Sequence, residues 1–455
     1  MRMGDQPQLF GTDGVRGVAG HYPLDPDTVW KLGQSIGRVL SKKTSAVPLR
    51  VVLGEDTRES SAWISRALAG GLRASGVDVT YAGVITTPGV AFLTRRHKFG
   101  AGVVVSASHN PYKDNGIKIL AASGMKLPET AEIEIERELT LCASAGQADR
   151  AAPLEPVPRL LNDYVEFLSS LVPATTRLSR FRVVADCAHG AASPVAPVLL
   201  KRLGIEARVL HAAPNGRNIN QGCGSLHPEN MAAETQAFGA DLGVAFDGDA
   251  DRAIFATREG RVIDGDHILY AYALHLHRQQ VLKGASVVGT LMTNLGLELA
   301  LARQGIALKR TAVGDKYVLE EMLRSGVNLG GEPSGHIIFA DVSLAGDGFI
   351  TLLQVLRLLD ETGESLGKLV SGLKQFPQII RSVRVRRKPP LESIPEITRA
   401  IAECQRHFGE QGRVVVRYSG TERVVRVMVE AEEAAAVEHH AGRIAAAIDL
   451  ALGAH

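Results

Sequence analysis

Three carboxylates, Asp247, Asp249 and Asp251, alternate in Asp247-Gly248-Asp249-Ala250-Asp251-Arg252, directly after the apolar stretch Leu242–Phe246. In an extended loop, groups at i, i+2 and i+4 can converge on one cation, and three hard oxygens suit Mg2+ better than zinc. An EF-hand is excluded, because its sixth position would be Arg252 and its twelfth Arg258. The alternative is a solvated acidic turn, in which the charges repel one another. A second cluster, Ser106-Ala107-Ser108-His109-Asn110-Pro111, follows the apolar run Gly102–Val105. Ser108 offers a hydroxyl that can be phosphorylated or acylated, against a plain Ser/Asn/Pro turn. Neither GxSxG nor SxxK occurs here, so esterase and β-lactamase chemistry have no support.

Two more clusters and one N-terminal turn complete the set. Gly330-Gly331-Glu332-Pro333-Ser334-Gly335-His336 places an acceptor, a hydroxyl and a possible base on a glycine-flexed loop able to grip sugar hydroxyls, or only to turn. Arg417-Tyr418-Ser419-Gly420-Thr421-Glu422-Arg423, with Arg426 following, combines hydroxyls, glycine N–H and arginines, as a phosphate dianion requires. The competing reading is a hairpin turn with exposed charges. Phe10–Gly17 adds Arg16 on another glycine-rich turn. No Walker A run occurs and no GxGxxG opens a helix after a strand, so a nucleotide cofactor is not indicated.

The elements that must position these clusters repeat one order. Arg50–Leu53 reads as a buried strand, Ser61–Ser75 as an amphipathic helix with Ile64, Leu68 and Leu72 at helical spacing, and Val77–Val79 as the next strand. The order returns at Arg182–Ala185, Val195–Leu203 and Ile205–Leu210, and again at Ser286–Gly289, Leu297–Arg303 and Ile306–Arg310. Such alternation predicts three related α/β domains with mixed or parallel sheets. The tail differs: strands at Ser382–Arg386, Arg413–Val416 and Val424–Val429, and helices near Ile394–His407 and at Ala434–Leu452, predict a smaller α+β domain. Linkers near Ala151–Pro158, Thr257–Gly260 and Gly372–Pro377 give expected domains of 1–155, 156–257, 258–372 and 373–455.

A length of 455 residues agrees with three or four domains. A formal net charge of +2 lacks the basic excess of a nucleic-acid binder. Cys142, Cys187, Cys223 and Cys404 form no CxxC pair, which argues against a disulfide framework or zinc site and for a reducing cytoplasm. The polar opening predicts no secretory leader, and no apolar run reaches the ~18 residues of a membrane helix. Other features read as ordinary: Arg381, Arg384, Arg386, Arg387 and Lys388 as the solvated face of an edge strand, His439 and His440 as solvent-facing on the last helix, and Cys187 as a small buried residue. His227 is left as a possible substrate-side residue on a loop.

Together the clusters resemble the α-D-phosphohexomutase superfamily, most closely its bacterial phosphoglucosamine mutases. The resemblance covers essentially the whole chain, through LFGTDGVRG, SASHNPYKDNGIKIL, DGDADR, AVGDKYVLE, GGEPSGHI and RYSGTERVVRVMVE in that order. It implies four domains around a central cleft and interconversion of glucosamine 6-phosphate and glucosamine 1-phosphate, feeding UDP-N-acetylglucosamine and cell-wall synthesis. Ser108 would be the phosphoserine, with His109 and Asn110 shaping its loop. Asp247, Asp249 and Asp251 would hold Mg2+ together with a phosphoserine oxygen, and Arg252 would face the same phosphate. Glu332 and Ser334 would contact sugar hydroxyls, with Lys316 also on the substrate side. Arg417, Ser419, Gly420, Thr421 and Arg426 would cradle the phosphate not being transferred. Lys118, Arg16 and His336 would move protons or stabilise charge. A hexose 1,6-bisphosphate would activate the enzyme by phosphorylating Ser108, and a homodimer is expected.

Two residues depart from the family pattern. Pro333 stands where the sugar loop usually has Gln, and Arg423 replaces a proline after SGTE. Pro333 therefore bears on sugar preference, and a phosphomannomutase or phosphoglucomutase on the same scaffold is the nearest rival. A silent sugar-phosphate-binding protein would have lost Ser108, Lys118 or an aspartate, all of which are present. A Mg2+-dependent phosphatase would release inorganic phosphate in step with substrate loss.

Overall fold

A computed structural model describes residues 9–11, 13–43, 48–142, 153–419 and 423–454. The chain forms two compact units, one of residues 1–291 with 309–370 and one of residues 292–308 with 371–455.

The larger unit repeats one topology. Its first sheet contains β1 (Val15–Val18), β2 (Arg50–Glu55), β3 (Asp78–Val84), β4 (Ala101–Val105) and β5 (Asp114–Ala121), in the order β1-β5-β4-β2-β3. Strand β2 runs parallel to β3 and β4, whereas β5 is antiparallel to β4 and β1. The second sheet contains β6 (Arg182–Asp186), β7 (Glu206–Leu210), β8 (Leu242–Phe246), β9 (Ala253–Thr257) and β10 (Val262–Ile263), in the order β10-β9-β8-β6-β7. Again β6 is parallel to β7 and β8, and β9 is antiparallel to β8. The third contains β11 (Ser286–Thr290), β12 (Ala307–Thr311), β13 (Leu329–Gly331) and β14 (Ile337–Phe339), in the order β12-β11-β13-β14, with β13 antiparallel to β14.

Each sheet therefore ends its central run with one antiparallel hairpin. The Ser108 turn joins β4 to β5, the aspartate turn joins β8 to β9, and the Glu332 turn joins β13 to β14. Three clusters that look unrelated in sequence sit at one topological place in three modules. The strands leading into the first two turns, Ala101–Val105 and Leu242–Phe246, are buried at every residue, which explains their unbroken apolar runs. A buried strand cannot bend to suit its ligands, so it delivers the polar turn that follows to a fixed point.

One expectation changes. Thr257–Gly260 is a tight turn between β9 and β10, closed by the Thr257 N–H to the Arg261 carbonyl at 2.9 Å, so it lies within the second sheet and is no linker. Helix Leu295–Ala302 follows β11 in chain order and packs in the smaller compact unit, where the Leu295 N–H donates to Glu430 Oε1 at 2.9 Å.

The smaller unit holds β15 (Gln378–Arg384), β16 (Gly412–Tyr418) and β17 (Val424–Ala431), antiparallel in the order β15-β17-β16. Helices Pro395–Phe408 and Ala434–Leu452 contribute Ile397, Cys404, Ile444 and Ile448 to a core with Val425, Val427 and Val429. His440 is buried in this unit, its ring 4.7 Å from that of His407 and 5.2 Å from that of Phe408, contrary to the solvent-facing expectation. Among the described residues, no helix is long and apolar enough to cross a membrane, and all four cysteines are free and buried.

Candidate active site

In the larger unit the three equivalent turns meet. Ser108 is buried, and its hydroxyl donates to Asp247 Oδ2 at 2.5 Å, with His109 Nδ1 3.4 Å away. Its backbone is left-handed at φ +52°, a conformation that non-glycine residues rarely adopt and that clusters at functional sites. Gly248 explains how the aspartate turn comes so close. A Cβ there would lie 2.4 Å from the Ser108 carbonyl oxygen, so only glycine allows the two backbones to touch.

Asp247, Asp249 and Asp251 are buried, and one ligand oxygen from each lies within 4.8 Å of the others. Asp249 Oδ1 and Asp251 Oδ1 are buried with no hydrogen-bond partner among the described residues. Orphaned buried carboxylate oxygens cost free energy unless something neutralises them, so the donor set fits a divalent, oxygen-seeking cation. The carboxyl of Asp247 is driven well above the usual carboxylate range by burial and then by repulsion from Asp251 and Asp249. A bound cation would relieve that cost.

Cations from the chain surround the cluster. Lys118, on β5, is 2.8 Å from Asp249 Oδ2, 3.1 Å from Asp13 Oδ2 and 3.7 Å from Asp251 Oδ2. Burial disfavours its charge, but Asp13, Asp249 and Asp251 prevail and raise its pKa, so it stays an ammonium. His336 Nδ1 lies 3.8 Å from Asp251 Oδ2. Burial favours its neutral ring, yet Asp251, then Asp315 and Glu332, lift its pKa to about 9. His109 goes the other way: burial, then Arg252 and Arg16, lower it to about 4. The two histidines thus have different charges at neutral pH.

Arg252 follows the aspartates and donates its backbone N–H to Asp247 Oδ1 at 3.3 Å. Glu332 is buried, accepting from the Gly314 N–H at 3.0 Å and from Ser334 Oγ at 3.5 Å. Pro333 occupies the second position of a turn closed by the Gly335 N–H to the Glu332 carbonyl at 3.0 Å, a place that suits proline. Lys316, Lys118, Asp251 and His336 line one cavity of about 280 Å3, whose remaining wall includes Leu120, Met125, Leu127 and Leu319. Arg16 is tied to Asp13.

The structure adds residues that pattern reading missed. Asp13 receives Lys118, Lys126 (2.7 Å) and Arg16, which outweigh its burial and hold its carboxyl well below the usual range. Lys126 also reaches Asp315 at 2.7 Å, and Thr87 donates to Asp249 at 2.5 Å. Asp56 and Arg58 hold the Ser108 loop from behind. Their only sequence signal is a polar turn after the β2 strand. A second group, Asp186, His211 and Cys223, has ligand-capable atoms within 4.8 Å. Asp186 Oδ1 there already accepts the Ala188 N–H, and Oδ2 accepts the Gly224 N–H and lies 3.0 Å from His211 Nδ1, so this carboxylate is already committed to holding its own loops.

In the smaller unit Arg417 and Arg426 are direct cross-strand partners on β16 and β17, so both side chains leave one face of the sheet. Ser419 is buried directly after β16, and Lys388, a member of the basic run expected to be solvated, donates to its carbonyl at 2.7 Å. Gly420 and Thr421 lie outside the described residues.

Family models described as phosphoglucomutase/phosphomannomutase α/β/α domains I, II and III match residues 7–143, 162–260 and 264–376, and the C-terminal domain of that family matches 381–447. A phosphoglucosamine mutase of Koribacter versatilis is 50% identical, over 99% of this chain and 98% of that protein. One from Solibacter usitatus is 46% identical, over 98% and 99%. Among solved structures, a phosphoglucomutase/phosphomannomutase family protein from Burkholderia thailandensis superimposes with a TM-score of 0.78 at 26% identity, covering 98% of this chain and 99% of that one.

Proposed function

The chain belongs to the phosphoglucomutase/phosphomannomutase family and, by relatives at 43–50% identity over nearly its full length, to the phosphoglucosamine mutases, and on that premise we propose how its residues interconvert glucosamine 6-phosphate and glucosamine 1-phosphate. The observation that carries the reading is the meeting of three topologically equivalent turns, with the Ser108 hydroxyl 2.5 Å from Asp247 and a buried ammonium, Lys118, alongside.

Phosphoryl transfer is mostly alignment and charge neutralisation. In the first half-reaction the bond from phosphorus to Ser108 Oγ breaks, and a bond forms to the free hydroxyl oxygen of the sugar phosphate. The hydroxyl proton goes to a base, and the electron pair of the broken bond stays on Oγ. The resulting 1,6-bisphosphate turns end for end, and its other phosphoryl group returns to Ser108. His109, neutral and 3.4 Å from Oγ, can take up or return a proton there. Lys118, Arg252 and protonated His336 spread the developing charge, and Arg16 holds Asp13 against Lys118. Asp247, Asp249 and Asp251, with a phosphoserine oxygen, would hold a Mg2+ that supplies further charge neutralisation at the transferring group.

Glu332 and Ser334 meet the sugar hydroxyls, with Lys316 at the same cavity. Arg417, Ser419, Gly420, Thr421 and Arg426 cradle the phosphate that stays on the sugar. Arg417 and Arg426 leave one face of the sheet side by side, and two guanidinium groups so placed suit a phosphate dianion. Ser108 must carry phosphate before turnover, so a hexose 1,6-bisphosphate activates the enzyme. A homodimer belongs to the same reading, and sedimentation velocity checks it.

The deciding experiment offers glucosamine, glucose and mannose phosphates separately with Mg2+ and the matching 1,6-bisphosphates, following isomers by phosphorus NMR. Preference for glucosamine phosphate is expected. Equal or faster turnover of glucose or mannose phosphate would retire the glucosamine assignment and keep the mutase.

A further inference from the structure

Behind Ser108 lies an ion pair that the mechanism does not use. Arg58 and Asp56, on the turn after β2, are in contact at 2.8 Å with both side chains fully buried. A guanidinium has five N–H donors, and all five are engaged. Nε donates to Asp56. One terminal nitrogen donates to the carbonyls of Pro111 and Asp114, the latter at 3.1 Å, and the other to those of Ser108 at 2.9 Å and Asn110 at 2.8 Å. Asp56 is filled in the same way. Its Oδ1 accepts from the Arg58 N–H and Ser61 Oγ, and its Oδ2 from Ser106 Oγ at 2.6 Å. Ser106 Oγ in turn accepts the Ser108 N–H at 3.0 Å. One buried pair therefore holds Ser108 by its carbonyl directly and by its N–H through Ser106.

A second grip comes from another module. Asn220 Nδ2, on the loop after β7, donates to the same two carbonyls, Ser108 at 2.9 Å and Asn110 at 3.1 Å. Asn220 is itself left-handed at φ +58°. A strained backbone persists only where its surroundings over-determine it, and four donors onto two carbonyls do so here. The grip also has a chemical effect. Carbonyl oxygens near a phosphoryl group repel its oxygens, and these two are occupied by Arg58 and Asn220. With no donor left over, Arg58 has nothing to offer a substrate.

We infer that Arg58, with Asn220 from the second module, is a positioning residue that fixes Ser108 for phosphoryl transfer without touching substrate. The inference rests on the mutase reading. It goes beyond it by assigning the aim of the nucleophile to a buried arginine fork of the first module, joined on the same carbonyls by an asparagine of the second. Lysine cannot reproduce the fork, since it brings a point charge with no planar pair of donors. A misplacement near 1 Å is enough to cost about 100-fold in rate.

The test uses the full chain, Arg58→Lys and Asn220→Gly, the glycine keeping the left-handed backbone while removing the side chain that carries the carboxamide. Three readouts are taken: kcat and KM for glucosamine 1-phosphate, the rate at which glucose 1,6-bisphosphate phosphorylates Ser108 by mass spectrometry, and the thermal melt. Arg58→Lys should lose about 100-fold and Asn220→Gly about 10-fold in kcat and in Ser108 phosphorylation, with KM within about twofold. Normal kcat in both variants, or a loss confined to KM, overturns the inference. Should Arg58→Lys fail to melt cooperatively, Asn220→Gly alone decides by the same criteria. Wild-type protein that neither isomerises the sugar phosphate nor phosphorylates Ser108 would instead sink the mutase reading.

Discussion

Gly248→Ala tests whether the aspartate turn and the serine turn must touch. The new methyl would sit 2.4 Å from the Ser108 carbonyl oxygen and 3.0 Å from both Asn220 Nδ2 and Ile219 Cδ1. Ordinary non-bonded contact needs about 3.5 Å, so one turn must retreat by roughly 1 Å. The serine carbonyl cannot yield freely, because Arg58 and Asn220 hold it at 2.9 Å each. The retreat therefore falls on the aspartates, moving Asp247 and Asp249 from Ser108 Oγ. Overpacking of this size costs about 1–3 kcal/mol of stability, and a displacement near 1 Å at the reacting atoms costs about 100-fold in rate, or about 2.7 kcal/mol of barrier. The assay is kcat for glucosamine 1-phosphate, with a thermal melt and Mg2+ titration alongside. Gly442→Ala, where a Cβ meets nothing within 4 Å on the last helix, is the control and should keep full activity. Wild-type kcat in Gly248→Ala would refute the claim that contact between these two turns sets the geometry.

Three further outcomes follow from the same geometry. Chelation of divalent cations should abolish turnover and lower the melting temperature, and Mg2+ should restore both, because the orphaned oxygens of Asp249 and Asp251 lose their counter-charge. Asp347, which caps helix Gly348–Thr362 and accepts from Tyr164 at 2.7 Å, has its carboxyl lifted to about 6, chiefly by burial. The folded chain thus binds this proton more tightly than the unfolded chain, so its contribution to stability is present below about pH 4 and is lost as pH rises through about 6. Denaturant titrations should show Asp347→Asn gaining on the wild type across that window by up to about 3 kcal/mol, and parallel pH profiles would disprove the assignment. Pro333→Gln should keep kcat within about threefold, since the Gly335-to-Glu332 bond that closes the turn uses neither proline atom nor side chain.

Much of this organisation is legible in the sequence. Strands Arg50–Glu55 and Arg182–Asp186 begin where their Val-rich runs begin, and helices Ser61–Ala74 and Ala434–Leu452 follow the apolar spacing closely. The residues singled out in three of the clusters also come together, Ser108 at 2.5 Å from Asp247 and His336 at 3.8 Å from Asp251. Periodicity reports which face of an element is buried, but it says nothing about partners far along the chain. Arg58 meets Ser108 across 50 residues and Lys126 meets Asp315 across 189, so both read as ordinary charged residues. The equivalence of the three turns was hidden for another reason: their spacing varies, and only strand order exposes it. His440 is a different case. It falls on the stripe of Val437, Ala441, Ile444 and Ile448, so helical phase alone places it inward, and a neutral ring packed on Phe408 meets little objection there.

The central claim is that Ser108 hands its phosphoryl group to the sugar and takes one back. Protein phosphorylated at Ser108 with isotopically labelled phosphate, mixed with unlabelled glucosamine 6-phosphate in a single turnover, tests this most directly. The account predicts label in the glucosamine bisphosphate and then in glucosamine 1-phosphate, with almost none as inorganic phosphate. Label released as inorganic phosphate in step with loss from Ser108, or label that never leaves the protein while isomer forms, would contradict it.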